Sequence, residues 1–196
     1  MTKEGRKIGL FFGSFNPVHI GHLIIANHMA ELADLHQVWF VVSPHNPLKP
    51  RQTLAKDHDR LHLVRIAIED NPKLLASAIE FSLPKPSYTI DTLVYLKEKY
   101  PFDAFALIMG GDNLVTLDKW KNYEIILRDY NILVYRRPGV GSSAFDDHPN
   151  VQFFDAPLLD ISATYIRQGL RNGQSMRYML PDPVFHYMDT CKMYRE

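Results

Sequence analysis

The chain has 196 residues, enough for one domain with a substantial core, so we expect a single domain over residues 1–196 with a short helical segment at about 174–196. Its 22 Lys and Arg balance its 22 Asp and Glu, so charge gives no reason to expect a nucleic-acid or anionic membrane partner. Because Cys191 is the one cysteine, an internal disulfide and a cysteine-based zinc site are excluded. No apolar stretch approaches membrane-spanning length. We therefore expect a cytoplasmic protein.

Six short runs rich in β-branched and aromatic residues are predicted strands. They cover residues 7–12, 37–43, 74–81, 104–109, 131–135 and 151–155. The runs at 104–109 and 131–135 are continuously apolar, as in strands that are covered on both faces. Segments of helical periodicity separate most of these runs, at 22–35, 57–70 and 89–100, and a proline-started helix is expected within 181–194. This alternation predicts an α/β fold with a mainly parallel sheet, while residues 136–150 form an exposed loop.

Ligands of open α/β sheets bind beyond the carboxyl ends of the strands, so the segment "GSFNPVHIGH" after the first strand is a candidate anion site. Gly13 permits close backbone approach, and Pro17 fixes the turn. His19 and His22 lie about one helical turn apart and can donate hydrogen bonds to phosphate oxygens. In the alternative, one histidine caps the turn and the other packs or faces solvent. Zinc binding is disfavoured because no third ligand is evident.

Three later strand-end segments add further polar groups. In "DISATYIRQGL", Ser162 is a candidate N-cap, with Thr164 and Arg167 following on one face, which suits a polyphosphate or an ordinary capped helix with a solvated arginine. In "SPHNPLKPR", Lys49 and Arg51 are loop charges. Asp112 in "GGDN" is placed to cap a helix or to accept hydrogen bonds from a ribose. Trp120 either packs in the core or stacks on a flat heterocycle.

These segments, in this order, resemble the nucleotidyltransferase superfamily that carries an HxGH signature on a Rossmann-like, doubly wound sheet with helices on both faces. "GSFNPVHIGH" is similar to its G-[ST]-F-[DN]-P-x-H-x-G-H motif, and "ISATYIR" to its I-S-x-T-x-x-R motif. Within the superfamily, "SPHNPLK", "PSYTIDTL" and "LIMGGDNLVTLDKW" resemble the bacterial nicotinate-nucleotide adenylyltransferase family. The resemblance implies the reaction of ATP with nicotinate mononucleotide, which gives deamido-NAD and pyrophosphate.

The resemblance also implies roles for individual residues. His19, His22 and Arg167 would be catalytic. The ATP-binding residues would be Gly13, Ser14, Phe15, His19, His22, Gly110, Asp112, Ser162, Thr164 and Arg167. The residues that bind nicotinate mononucleotide would be Asn16, Lys49, Thr89, Trp120 and Lys121. No resident metal site is expected, because Mg²⁺ would arrive with ATP.

The sequence departs from the family pattern at two positions. Phe12 stands where a glycine is usual, and Leu48 stands where a histidine is common, with His45 nearby. Rival hypotheses are a preference for nicotinamide mononucleotide or another phosphate acceptor, and a non-catalytic nucleotide sensor. The sequence leaves open whether the chain forms a homo-oligomer, and whether Arg136 and Arg137 face the polyphosphate or solvent.

Overall fold

A computed structural model describes residues 5–44, 54–136, 139–157 and 159–195. Its six strands form one sheet in which every neighbouring pair is parallel, in the order β3-β2-β1-β4-β5-β6. The strands are β1 Lys7–Gly13, β2 Gln37–Val42, β3 Leu74–Ser77, β4 Ala104–Gly110, β5 Asn131–Tyr135 and β6 Val151–Phe154. The order runs outward in both directions from β1 and β4, which is the topology of a doubly wound Rossmann-like sheet.

Helices connect the strands. They are α1 Ile20–Leu32, α2 Asp57–Ala67, α3 Thr89–Lys99, α4 Gly111–Val115, α5 Tyr123–Asp129, α6 Ala163–Arg171 and α7 Asp182–Thr190. Short 3₁₀ helices occur at Ile79–Ser82, Leu117–Lys119 and Arg177–Met179. No helix in the described part of the chain combines the length and apolar character needed to cross a membrane.

Two apolar clusters cover the two faces of the sheet. Phe40 and Ile108 point into one cluster, which includes side chains of α1, α2, α6 and α7. Trp39 and Leu107 point into the other, which includes side chains of α3, α4 and α5. Neighbouring residues along one strand therefore serve opposite layers, which explains the continuously apolar strand sequences. The predicted α/β class, parallel sheet and two-sided covering are confirmed.

The predicted third strand, residues 74–81, is wrong in its second half. Strand β3 ends at Ser77, whose Oγ accepts a hydrogen bond from the Ile79 N–H at 3.4 Å. This local turn competes with strand pairing, and the chain continues as the 3₁₀ helix Ile79–Ser82. The helix predicted within 181–194 forms as α7, with a proline in its first turn. The described residues of the predicted loop 136–150 contain no helix or strand.

Candidate active site

A cleft of about 1100 Å³ opens beyond the carboxyl ends of β1 and β4, where the strand order reverses. Its lining includes most of the residues that the sequence singled out. They are Gly13, Ser14, Phe15, Asn16, His19, His22, Thr89, Asp112, Trp120, Lys121, Ser162, Thr164 and Arg167. Gly110 lies directly beside the cleft without lining it, and Lys49, with His45, Leu48 and Arg51, lies outside the described residues. Segments from across the chain thus converge at the switch point of the sheet.

We call the turn of residues 13–22 together with the start of α6 the histidine end of the cleft. The turn is held by Phe15, whose backbone adopts a left-handed φ of 43° and whose ring is buried against Phe11 and Phe40. A Cβ at position 13 would lie 2.8 Å from this ring, so only glycine fits there. Phe12, where the family usually has glycine, also lines the cleft. The group that comes close to the Gly13 backbone is therefore the Phe15 ring of the same chain.

His19 and His22 lie together at the amino end of α1. His19 is the N-cap residue and is only 6% exposed, and its ring stacks on that of His22 with centroids 3.7 Å apart. The His19 N–H donates to Nδ1 of His22 at 3.2 Å. This bond assigns the proton of a neutral His22 ring to Nε2, where it can serve as a donor. His19 therefore lies at the helix cap, as one alternative predicted, and both histidines line the cleft; their donation to phosphate oxygens stays a prediction.

The start of α6 faces this turn. Ser162 is its N-cap, as predicted, and its Oγ accepts the Tyr165 N–H at 3.2 Å. Arg167 donates from Nη1 to the Asn16 carbonyl at 2.8 Å and from Nη2 to Thr164 Oγ1 at 3.2 Å. Its buried Nε has no hydrogen-bond partner among the described residues. Burial lowers the pKa of Arg167, Tyr194 opposes this, and the nearby Arg171 adds a smaller lowering, so this guanidinium would gain from a bound anion.

Gly110 and Asp112 lie where β4 passes into α4. Gly110 is the N-cap residue of this helix, and no side-chain cap is present, so the helix-capping role considered for Asp112 is wrong. A Cβ at position 110 would lie 2.4 Å from Asp112 Oδ1 and 3.2 Å from the Tyr135 ring, so glycine is needed for the carboxylate to lie over the strand end. The Asp112 carboxylate itself lines the cleft.

We call Thr89, Trp120 and Lys121 the tryptophan end of the cleft. Trp120 is partly buried and packs on the core beside α5, so the packing interpretation holds in part. It also lines the cleft, and its stacking on a heterocycle stays a prediction. Lys121 Nζ pairs with both oxygens of Asp91 at 2.9 Å and lies 4.8 Å from the centre of the Tyr88 ring. The lysine side chain is therefore engaged within the chain itself.

Sequence reasoning missed Glu80, which lines the cleft and is 2% exposed. Its Oε1 accepts from Thr92 Oγ1 at 2.8 Å. Burial raises the pKa of Glu80, and hydrogen bonds from Ser43 and Thr92 oppose that rise. The residue was hidden because it fell within the predicted strand, whereas the 3₁₀ turn carries it inward.

Sequence reasoning also missed Arg60 of α2, whose side chain is completely buried. Its guanidinium donates to the carbonyls of Ser14 and Ser43 at 2.5 and 2.9 Å and to Asp57 Oδ1 at 2.7 Å. Arg60 thereby connects the turn after β1 with the end of β2. A signal exists, because Arg60 shares the buried face of α2 with Val64 and Ala67 at helical spacing.

Arg136 does not line the cleft. It is exposed, 3.9 Å from Asp155 Oδ1 and 4.0 Å from the Phe153 ring centre, which favours the solvated alternative, and Arg137 is outside the described residues. Over the described residues, no group of three or more His, Cys, Asp and Glu side chains is arranged to hold a metal ion.

A doubly wound parallel sheet with helix N-termini at its switch point is typical of nucleotide-binding proteins. The chain matches the cytidylyltransferase-like family over residues 10–169. It is 52% identical to the probable nicotinate-nucleotide adenylyltransferase of Flavobacterium psychrophilum, over 97% of this chain and all of that protein. A protein of the same name from Cytophaga hutchinsonii is 54% identical, over 96% of this chain and 98% of that protein.

A solved structure has the same fold. It is Plasmodium falciparum nicotinic acid mononucleotide adenylyltransferase complexed with NaAD, with a TM-score of 0.82 and 20% identity over 96% of this chain and 97% of that one. The chain belongs to the nicotinate-nucleotide adenylyltransferase family of nucleotidyltransferases.

Proposed function

We propose that the protein transfers the adenylyl group of ATP to nicotinate mononucleotide, giving deamido-NAD and pyrophosphate in NAD biosynthesis. The observation that carries the proposal is the contact between the two phosphate-binding motifs. The Arg167 guanidinium, on the later motif, donates to the backbone of Asn16, inside the earlier one, across 151 residues of sequence. Two donor-rich helix starts then face one cleft that is large enough for two nucleotides.

In the proposed reaction, a phosphate oxygen of the mononucleotide attacks the α-phosphorus of ATP in line. The new bond joins that oxygen to the α-phosphorus, and the bond from the α-phosphorus to the bridging oxygen breaks, so that pyrophosphate leaves. Phosphoryl-type transfer depends mainly on positioning and on stabilising charge at the phosphate oxygens. His19 and His22 supply ring donors at the amino end of α1, and Arg167 supplies a delocalised positive charge.

The remaining site residues have proposed roles in binding. Gly13, Ser14 and Phe15 form the turn beneath the ATP phosphates, and Ser162 and Thr164 hold their outer part. Gly110 and Asp112 lie toward the adenosine. On the acceptor side, Trp120 stacks on the pyridine ring, while Thr89 and the backbone at Lys121 meet its carboxylate; Asn16 and Lys49 complete the mononucleotide site.

A divalent cation, proposed to be Mg²⁺, enters as part of the ATP substrate. The described residues offer no cluster that would hold it beforehand, so its oxygen ligands would come mainly from the phosphates. The bound cation would withdraw charge from the leaving pyrophosphate. ATP supply and an exposed free Cys191 suit a reducing bacterial cytoplasm, the proposed location.

The test is pyrophosphate release by the purified protein with ATP, Mg²⁺ and nicotinate mononucleotide, run beside the same mixture with nicotinamide mononucleotide. We expect release with both ATP and the acid present and a lower kcat/KM with the amide. Equal or better use of the amide would refute the acid preference. Binding of ATP without pyrophosphate release from either mixture would contradict the proposed reaction and favour a nucleotide sensor or a different phosphate acceptor.

A further inference from the structure

Tyr194 lies beyond the last helix, yet its hydroxyl reaches the base of the histidine end. The O–H donates to Asn16 Oδ1 at 2.6 Å, across 178 residues of sequence. The same oxygen accepts the Ala55 N–H at 3.1 Å, and the Asn16 backbone carbonyl accepts Arg167. One asparagine, 3% exposed, thus joins the segment after α7, the segment just before α2 and the catalytic candidate on α6.

The backbone after α7 is shaped to deliver this hydroxyl. The Cys191 and Met193 N–H groups donate to the Tyr187 and Met188 carbonyls at 3.0 Å each, which closes the chain back on the helix. Tyr194 itself has a left-handed φ of 63°, a conformation that non-glycine residues rarely adopt. Such strain persists where the surrounding contacts hold it, and here those contacts include packing of Tyr194 on the core.

The electrostatic surroundings of Tyr194 connect it to the fully buried Arg60 and to the partly buried Arg167. Burial raises the pKa of its hydroxyl, while the positive charges of Arg167 and Arg60 oppose that rise. The hydroxyl therefore stays protonated near neutral pH and acts as a donor to Asn16. A neutral donor at this point fixes the asparagine side chain without cancelling the charge of either guanidinium.

We propose that Tyr194 is a positioning residue for the nucleotide site, because its hydroxyl fixes Asn16 and thereby the carbonyl that orients the Arg167 guanidinium. The proposal deepens the proposed function and rests on it for the statement that Arg167 meets ATP phosphates. Neither phosphate-binding motif contains Tyr194, so the contact links a third segment of the chain to the site.

The experiment measures the dissociation constant of Mg-ATP by calorimetry for the full chain and for Tyr194→Phe, Arg167→Met and the double variant. Removing one hydroxyl bond should weaken ATP binding by about 3- to 10-fold in Tyr194→Phe. In the Arg167→Met background the same change should have less than about a twofold effect, since contacts that act through one another are not additive. Tyr178→Phe is the matched control, because Tyr178 is 89% exposed and outside the cleft.

Two results would overturn the proposal: ATP affinity unchanged in Tyr194→Phe, or an equal loss in the two backgrounds. Thermal unfolding of Tyr194→Phe distinguishes the positioning role from a general structural role. A general structural role would lower the melting temperature, but the loss of ATP affinity would then not depend on Arg167. Pyrophosphate release by the unmodified protein is scored separately. If release fails while the binding cycle is non-additive, the proposed function fails and the positioning role stands.

Discussion

The histidine end and the tryptophan end of the cleft are held by different kinds of contact. At the histidine end, Asn16 and His19 are almost completely buried, and hydrogen bonds join Asn16 to Arg167 and Tyr194, which lie far away in sequence. At the tryptophan end, the ion pair of Lys121 with Asp91 is about half exposed. Exposed ion pairs contribute about 0–1 kcal/mol and weaken in salt, whereas breaking a buried hydrogen-bond network leaves polar groups without water.

This difference fits the two tasks that the proposed reaction sets. Donors that stabilise developing charge act best when they are fixed before the reaction begins. A flat acceptor ring needs a stacking surface, and small adjustments of that surface cost little. We therefore expect changes at the histidine end to lower turnover, and changes at the tryptophan end to act mainly on acceptor binding.

The largest expected effect is that of His19→Ala. Loss of one oxyanion-type donor lowers turnover by about 10²–10³, so kcat should fall by that factor while the KM for nicotinate mononucleotide changes little. The measurement is steady-state pyrophosphate release at saturating ATP. His28→Ala is the control, because His28 lies on the same helix outside the cleft. Turnover of His19→Ala near the unmodified level would remove His19 from the proposed mechanism.

Trp120→Ala should have a smaller effect, confined to the acceptor. Loss of stacking on a heterocycle costs about 1–3 kcal/mol, so the KM for nicotinate mononucleotide should rise roughly 5- to 150-fold with the KM for ATP nearly unchanged. Trp120→Phe keeps an aromatic face and should recover most of the difference. An equal rise of both KM values would show that Trp120 supports the fold rather than the acceptor.

The sheet is the part of the fold that the sequence predicts best. Strands β4 and β5 are continuously apolar because both faces are covered, and that pattern needs no knowledge of distant contacts. Strand β3 was overextended because an apolar run cannot distinguish a strand from a turn that buries the same residues. The Ser77 hydroxyl contact that ends the strand depends on local geometry rather than on hydrophobic pattern.

The candidate site divides in the same way. His19, His22, Ser162 and Arg167 are predictable because each motif is local and its spacing has a chemical meaning. Arg60 and Tyr194 were missed because their roles depend on partners in distant segments, and Glu80 was missed because it fell within the overextended strand. Tyr194, for example, meets a residue 178 positions earlier, and nothing in "CKMYRE" indicates that partner.

Near the tryptophan end, Glu80 is an exception to the exposed contacts, because it is a buried polar residue. Of the changes considered, Glu80→Gln should have the smallest effect, and that effect is on stability. Burial raises its pKa above the ordinary 4.5, so the folded protein binds this proton more tightly than the unfolded chain does. Its stabilising contribution is therefore complete below pH 4.5 and is lost as pH rises through the folded-state pKa. Glutamine keeps an oxygen acceptor for Thr92 and cannot ionise.

The melting temperature of Glu80→Gln, measured relative to the unmodified protein, should thus rise between pH 5 and pH 8. About 1 kcal/mol moves the melting temperature of a domain of this size by about 2–4 °C, so scanning calorimetry can resolve the trend. Glu98→Gln, at an exposed position on α3, should show no comparable trend. If the difference for Glu80→Gln stays constant or falls as pH rises, the hydrogen bonds from Ser43 and Thr92 fully offset the burial of the ionised carboxylate, which contradicts a raised pKa at this end of the cleft.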